Sequence, residues 1–203
     1  MKTIAIMSQK GGSGKTTLAV HLAVCAERAH HRVAIIDLDP QASALEWYTR
    51  RHTETPEVIT ATPEQLPAML DHVKANGAEV MLIDTAPHSD RAATMAATLA
   101  DLVLIPCRPA AFDVAAIGTT LDLLHLTKAK ERAAILLNGV PPRGGVTDEA
   151  EVGLARLAPV VPVRMYHRAA YAHAINDGRS VEEYEPHGKA AEEIRALYKW
   201  IMK

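Results

Sequence analysis

Short apolar runs rich in valine and isoleucine recur along the chain at Thr3–Met7, Val33–Asp37, Val80–Asp84 and Leu102–Pro106, with longer helically spaced segments between them. Runs that are apolar at every position, rather than at alternate ones, belong to strands buried on both faces, as in parallel sheets flanked by helices. Ala134–Asn138 is a fifth such run, Val160–Arg164 a candidate sixth, and Val58–Ala61 an edge candidate. The intervening segments Lys15–Arg28, Ala42–Arg51, Pro63–Asn76, Asp90–Leu99, Asp113–Leu126 and the final Gly188–Met202 have helix length. Alternating strands and helices predict right-handed crossovers, and so the α/β class: a doubly wound, mostly parallel sheet with helices on both faces.

No period of 20 to 50 residues repeats, and the one loose stretch, Gly139–Gly145 with its paired prolines, reads as a loop rather than a domain boundary. A single domain over residues 1–203 is expected. The composition, 48% hydrophobic and 23% charged, is that of a chain with a real core, which excludes disorder. A net charge of −2 excludes a polycation that coats nucleic acid by bulk charge, so any DNA contact must be local. Cys25 and Cys107 share no motif spacing, which argues against a disulfide framework or thiolate metal site and for a reduced, cytoplasmic protein. No window has the length and apolarity of a membrane span.

The first strand runs into Gln9-Lys10-Gly11-Gly12-Ser13-Gly14-Lys15-Thr16-Thr17, followed at once by a helical pattern. Glycines let backbone N–H groups close around a polyphosphate, and the helix N-terminus adds partial positive charge. In such a loop Lys15 reaches the β- and γ-phosphates and the Thr16 hydroxyl ligates Mg²⁺, which makes a nucleotide with Mg²⁺ the expected cofactor pair. Gln9 stands where the usual phosphate-loop pattern has its first glycine, and Lys10 stands directly before the glycine pair.

Lys10-Gly11-Gly12-Ser13-Gly14-Lys15-Thr16-Thr17 resembles the deviant Walker A box of the ParA/MinD group of P-loop ATPases. Ile35-Ile36-Asp37-Leu38-Asp39-Pro40-Gln41 resembles that group's second box, and Met81-Leu82-Ile83-Asp84-Thr85-Ala86-Pro87 its Walker B strand. The Asp-Pro-Gln ending, followed by Ala42, Ser43 and Trp47, is more similar to the ParA partition branch than to MinD. The resemblance implies a P-loop NTPase fold and a nucleotide-sandwich homodimer, in which Lys10 reaches across to the phosphates of the other subunit. It also implies that Asp84 meets the metal through water, that Asp37 lies near it, and that Asp39 orients the attacking water, making Lys10, Lys15 and Asp39 the catalytic set. For any one of these aspartates the residues alone equally allow a helix or turn cap. Cys107–Asp113 resembles a segment that packs at the family's dimer interface. Asn138 falls at the family's base-contacting position, while an Asn before Gly139 also reads as turn chemistry.

Beyond Thr127 the chain carries 12 basic and 10 acidic residues, against 10 and 14 up to it. Arg164, Arg168 and Arg179 are the candidate contacts to duplex phosphates, with an ordinary solvated surface as the alternative. Aromatic residues are only 4%, too few for single-strand stacking platforms. In the last helix Ala191, Ile194, Leu197, Tyr198 and Ile201 form one stripe, and acidic residues on the polar face favour docking on the domain over membrane insertion.

The resemblance implies a partition ATPase of small plasmid type: a cytoplasmic ATP-bound dimer that binds nucleoid DNA non-specifically and is released when a ParB-like adaptor stimulates slow hydrolysis. The alternative on the same switch is a MinD-like or ParA-like positioning ATPase for a non-DNA cargo, such as division machinery or a chemoreceptor cluster. An iron–sulfur relative is disfavoured by the lack of paired cysteines near Asp84, and a dethiobiotin-synthetase-like enzyme by Lys10.

Overall fold

The computed structural model describes residues 1–143 and 145–203, so that Gly144, within the loop expected at 139–145, lies outside the described residues. The chain runs β1 (Lys2–Ile6), α1 (Lys15–Arg28), β2 (Val33–Asp37), α2 (Ser43–Thr49), β3 (Glu57–Thr60), a 3₁₀ turn at Pro63–Gln65, α3 (Leu66–Ala75), β4 (Val80–Asp84), α4 (Asp90–Leu99) and β5 (Leu102–Cys107). It continues through α5 (Ala111–Leu126), β6 (Ala133–Val140), α6 (Val146–Ala155), β7 (Met165–Tyr166), α7 (Ala169–Asn176), α8 (Val181–Tyr184) and α9 (Lys189–Ile201). The strands form one parallel sheet in the order β3-β2-β4-β1-β5-β6-β7. β1 lies between β4 and β5, where the winding reverses, and in open α/β sheets ligands bind beyond the strand ends at that point.

Alternate residues of each strand feed two separate apolar layers. Ile4, Ile6, Ile35, Leu82, Leu104 and Leu136 pack under α1, α2 and α7–α9. Ala5, Ile36, Met81, Ile83, Val103, Ile105 and Leu137 pack under α3–α6. Burial on both faces is why these strands read as continuous apolar runs. α1 is buried along most of its length, and His21 within it is sealed completely, its Nδ1 accepting the Val181 N–H at 3.2 Å. In α9, Ala191, Ile194, Leu197 and Ile201 dock into the first layer.

The C-terminal third differs from the sequence expectation. The strand expected at Val160–Arg164 contributes only a bridge from Val160 to Ile135, and the seventh strand is the two-residue Met165–Tyr166. Pro159 and Pro162 lack N–H groups, so this segment cannot sustain a ladder until Pro162 is passed. Helices α6, α7 and α8 were not expected: α8 is one turn held by a Ser180–Glu183 capping box, and α6 and α7 are short. Pro63–Asn76 divides into a 3₁₀ turn and a helix, with a capping box on Thr62 and Gln65 at its start.

Candidate functional site

The loop between β1 and α1 turns on Gly12 (φ +70°) and Gly14 (φ +92°), left-handed conformations that other residues adopt only under strain. Gly14 has a second reason to be glycine, because a Cβ there would stand 2.4 Å from Asn138 Nδ2. Gln9 Nε2 donates to Asp90 Oδ1 at 2.7 Å and so ties the loop to the start of α4. Arg108, the first residue past β5, donates to the Gly12 carbonyl, and Asn138 Nδ2 donates to the Ser13 carbonyl at 2.6 Å.

β1, β2 and β4 bring the remaining groups together. Ile6, Asp84 and Asp37 share one register level, so the two carboxylates close adjacent strands side by side. Thr16 Oγ1 donates to Asp84 Oδ2 at 2.5 Å, while Asp84 Oδ1 is buried with no protein partner. Burial pushes the Asp84 carboxyl up to about 7, against the pull of the Thr16 hydroxyl, and neighbouring Asp37 adds to the rise. Burial also raises Asp37, opposed by the Asp39 and Ala44 amides that donate to it at 3.0 Å each. Lys15 is buried, its Nζ donating to Ser8 O at 3.4 Å; burial lowers its pKa while Asp84 and Asp39 favour its charged form. Asp39 is only partly buried and accepts the Gln41 N–H at 2.9 Å.

The donor set fits a nucleotide with Mg²⁺. An orphaned buried carboxylate oxygen beside a threonine hydroxyl is hard-oxygen chemistry suited to Mg²⁺ and its waters, and the orphaned, buried Ser13 hydroxyl lies in the glycine cradle. Thr16, Asp84 and Asp37 would hold the metal side, and Gly11–Thr17 the phosphates. The loop opens onto a cleft of about 650 Å³ walled by Gly12–Gly14, Arg108, Asn138, Pro141, Tyr166, Arg168 and Tyr171, large enough for a nucleoside. The β7–α7 wall was missed in the sequence, because its strand of two residues leaves no periodic signal. Among the described residues no cluster of His, Cys, Asp and Glu forms a separate metal site.

Lys10 is placed at the loop mouth, where Nζ pairs with Asp113 Oδ2 of its own chain at 3.0 Å. The three arginines expected on DNA are each engaged internally: Arg164 by Asp148 and Glu151, Arg168 by Glu193, and Arg179 by Asp177. Arg168 also lines the cleft. The structure therefore does not bring these three together as one free cationic face.

Comparison with known proteins adds the family. Residues 4–181 match the CobQ/CobB/MinD/ParA nucleotide binding domain. The chain is 34% identical to maintenance of carboxysome distribution protein A of Gloeobacter kilaueensis, over 98% of this chain and 92% of that one. It is 36% identical to protein ParA of Rhizobium radiobacter, over 66% of this chain and 60% of that one. Among solved structures, the ATP complex of a substituted Cyanothece McdA superposes with a TM-score of 0.74 at 17% identity, covering 100% of this chain and 96% of the other. The septum site-determining protein MinD of Pyrococcus horikoshii with Mg-ADP gives 0.77 at 18%, with the same two coverages. With this loop, this carboxylate pair and this match over most of its length, the chain belongs to the CobQ/CobB/MinD/ParA nucleotide-binding family of P-loop ATPases.

Proposed function

We propose that this ATPase is a positional switch: ATP drives two subunits into a face-to-face dimer, the dimer holds duplex DNA without reading its sequence, and an adaptor of ParB type triggers hydrolysis and release. The observation that carries this reading is Lys10. It stands at the rim of the phosphate loop, 38% exposed, held by Asp113 beside a Phe112 that is 83% exposed. An ammonium that a lone subunit neutralises with its own carboxylate is free to exchange that carboxylate for a second subunit's phosphates, and the uncovered phenyl ring offers apolar area at the same edge. Asp39 is assigned to orienting the attacking water, with Lys15 and Lys10 offsetting the charge that builds on the transferred phosphoryl group.

The DNA part of this reading rests on Arg164, Arg168 and Arg179. The pairs of Arg164 and Arg179 are open to solvent, and such pairs contribute only about 0–1 kcal/mol, so their exchange of a carboxylate for a DNA phosphate is nearly neutral. Arg168 is held more firmly, because Glu193 is largely buried and also accepts from the Tyr166 N–H and the Tyr171 hydroxyl, so Arg168 meets DNA at a cost. No helix among the described residues is long and apolar enough to cross a membrane, and α9 spends its apolar stripe on the core. DNA co-sedimentation in ATP, ADP and no nucleotide across a salt series tests the switch. Retention in ATP alone, falling with salt, supports it; equal retention in all three overturns it.

For the cargo, plasmid or chromosomal DNA is the first reading, supported by likeness to a ParA protein. A protein assembly is the second, because a relative named for carboxysome distribution matches over nearly the full length of both chains. Following plasmid loss and the spacing of tagged assemblies in a deletion strain separates the two.

A further inference from the structure

Two side chains hold the phosphate loop from outside. Arg108 donates to the Gly12 carbonyl, and Asn138 donates to the next carbonyl, that of Ser13, at 2.6 Å. They arrive from neighbouring positions in the sheet, Arg108 just beyond β5 and Asn138 near the end of β6, strands that pair from Val103↔Ala133 to Cys107↔Leu137. In a trans peptide the C=O and the following N–H point in opposite directions from one rigid plane. A side chain that grips the Gly12 carbonyl therefore turns the Ser13 N–H the other way, and one that grips the Ser13 carbonyl turns the Gly14 N–H likewise.

From this geometry we infer that Arg108 and Asn138 form a carbonyl clamp, which fixes two consecutive loop amides in the phosphate-binding orientation before any nucleotide arrives. Arg108 is a positioning residue, acting on the nucleotide through the backbone. Asn138, a wall of the nucleotide cleft, adds the same positioning role through its grip on Ser13, which loop exchange without nucleotide reads separately from any contact to the base. The fit is close on each side: the Arg108 stem passes 3.7 Å from where a Cβ on Gly139 would stand, and Asn138 approaches Gly14 so tightly that only glycine fits. Among the described residues no carboxylate lies within ion-pair distance of Arg108, so its guanidinium is not drawn off the loop. Without the clamp, a loop with glycine at 11, 12 and 14 samples many backbone states, and binding must order it at an entropic cost. Lowering that cost affects every ligand that uses the loop amides, whether it carries two phosphates or three.

The inference rests on the nucleotide-binding assignment, and its test keeps the two apart. Fluorescent ADP and ATP analogues are titrated against wild type, Arg108→Ala, Arg108→Lys and Asn138→Asp, and amide exchange over residues 11–15 is followed without nucleotide. Arg108→Ala and Asn138→Asp are expected to lose about tenfold in affinity for both analogues, as for loss of a hydrogen bond with a charged or tightly placed donor. Their loop amides should exchange faster, and Arg108→Lys, which keeps a donor, should recover most of the affinity. If Arg108→Ala binds both analogues within twofold of wild type and exchanges no faster, the clamp is wrong. Loss for ATP alone would instead mean direct contact with the third phosphate and would equally overturn it. Failure of the wild type to bind either analogue would sink the nucleotide assignment itself.

Discussion

Lys10 Nζ and Asp113 Oδ2 stand 3.0 Å apart in one chain, joining the phosphate loop to the first turn of α5. If this pair competes with a contact across a dimer, Asp113→Asn should shift dimerisation in ATP and Mg²⁺ to lower protein concentration, because the intrachain alternative is weakened. Lys10→Ala should remain monomeric. Light scattering over a dilution series reads both, and a wild type that stays monomeric in ATP at every concentration removes the sandwich from the reading.

Among the described residues, the Asp39 side chain accepts one hydrogen bond, from the Gln41 amide, and makes none to the loop. Asp39→Ala should accordingly bind nucleotide within about twofold of wild type while turnover falls by about 100-fold, the lower end of what a positioned proton-handling group contributes. Phosphate release and analogue binding, measured on the same preparation, check it. Undiminished hydrolysis would move the water-orienting role elsewhere.

Gly14→Ala meets two obstacles at once. Its φ of +92° lies outside the range that a Cβ tolerates, and the new methyl group would collide with the Asn138 amide at 2.4 Å. A left-handed non-glycine residue alone costs about 1–2 kcal/mol, so the variant should melt at lower temperature and lose the stabilisation that nucleotide confers on the wild type. Differential scanning with and without Mg-ADP separates the two losses.

Burial pushes the His21 imidazole down to about 3, so it is neutral in the folded chain, accepting the Val181 N–H, while in the unfolded chain it protonates near its ordinary value. Between those two values the unfolded state binds the extra proton. Stability is therefore present above about pH 6.5 and lost as pH falls towards 3, at up to about 1.4 kcal/mol per pH unit from this residue. His21→Gln, which keeps an acceptor but cannot protonate, should show a shallower acid slope in urea titrations from pH 7 to 4. Parallel slopes would mean that other groups dominate acid unfolding.

The doubly wound sheet was legible in the sequence because β1, β2, β4, β5 and β6 are each buried on both faces, which writes them as unbroken apolar runs. The loop Lys10–Thr17 was legible for a related reason: a backbone that closes on phosphate needs glycine at fixed spacing, and residue type alone records that. α8 and the displaced β7, of four and two residues, were not legible, since elements this short gain their order from packing on α1, α9 and β6 rather than from their own periodicity, whereas α6 and α7, as long as helices that were expected, were missed.

Local chemistry determined, from sequence alone, where strands and helices alternate, where phosphate could be cradled and which carboxylates close the strands beside it. Only the tertiary structure decided that Lys10 rests on Asp113, that Arg164, Arg168 and Arg179 are already paired, and that Arg108 and Asn138 grip successive carbonyls of one loop. These contacts join residues far apart in the chain. A pattern read along the sequence records each residue's own surroundings, whereas the partner a charge or amide finds depends on the strand order β4-β1-β5-β6 that brings their ends together.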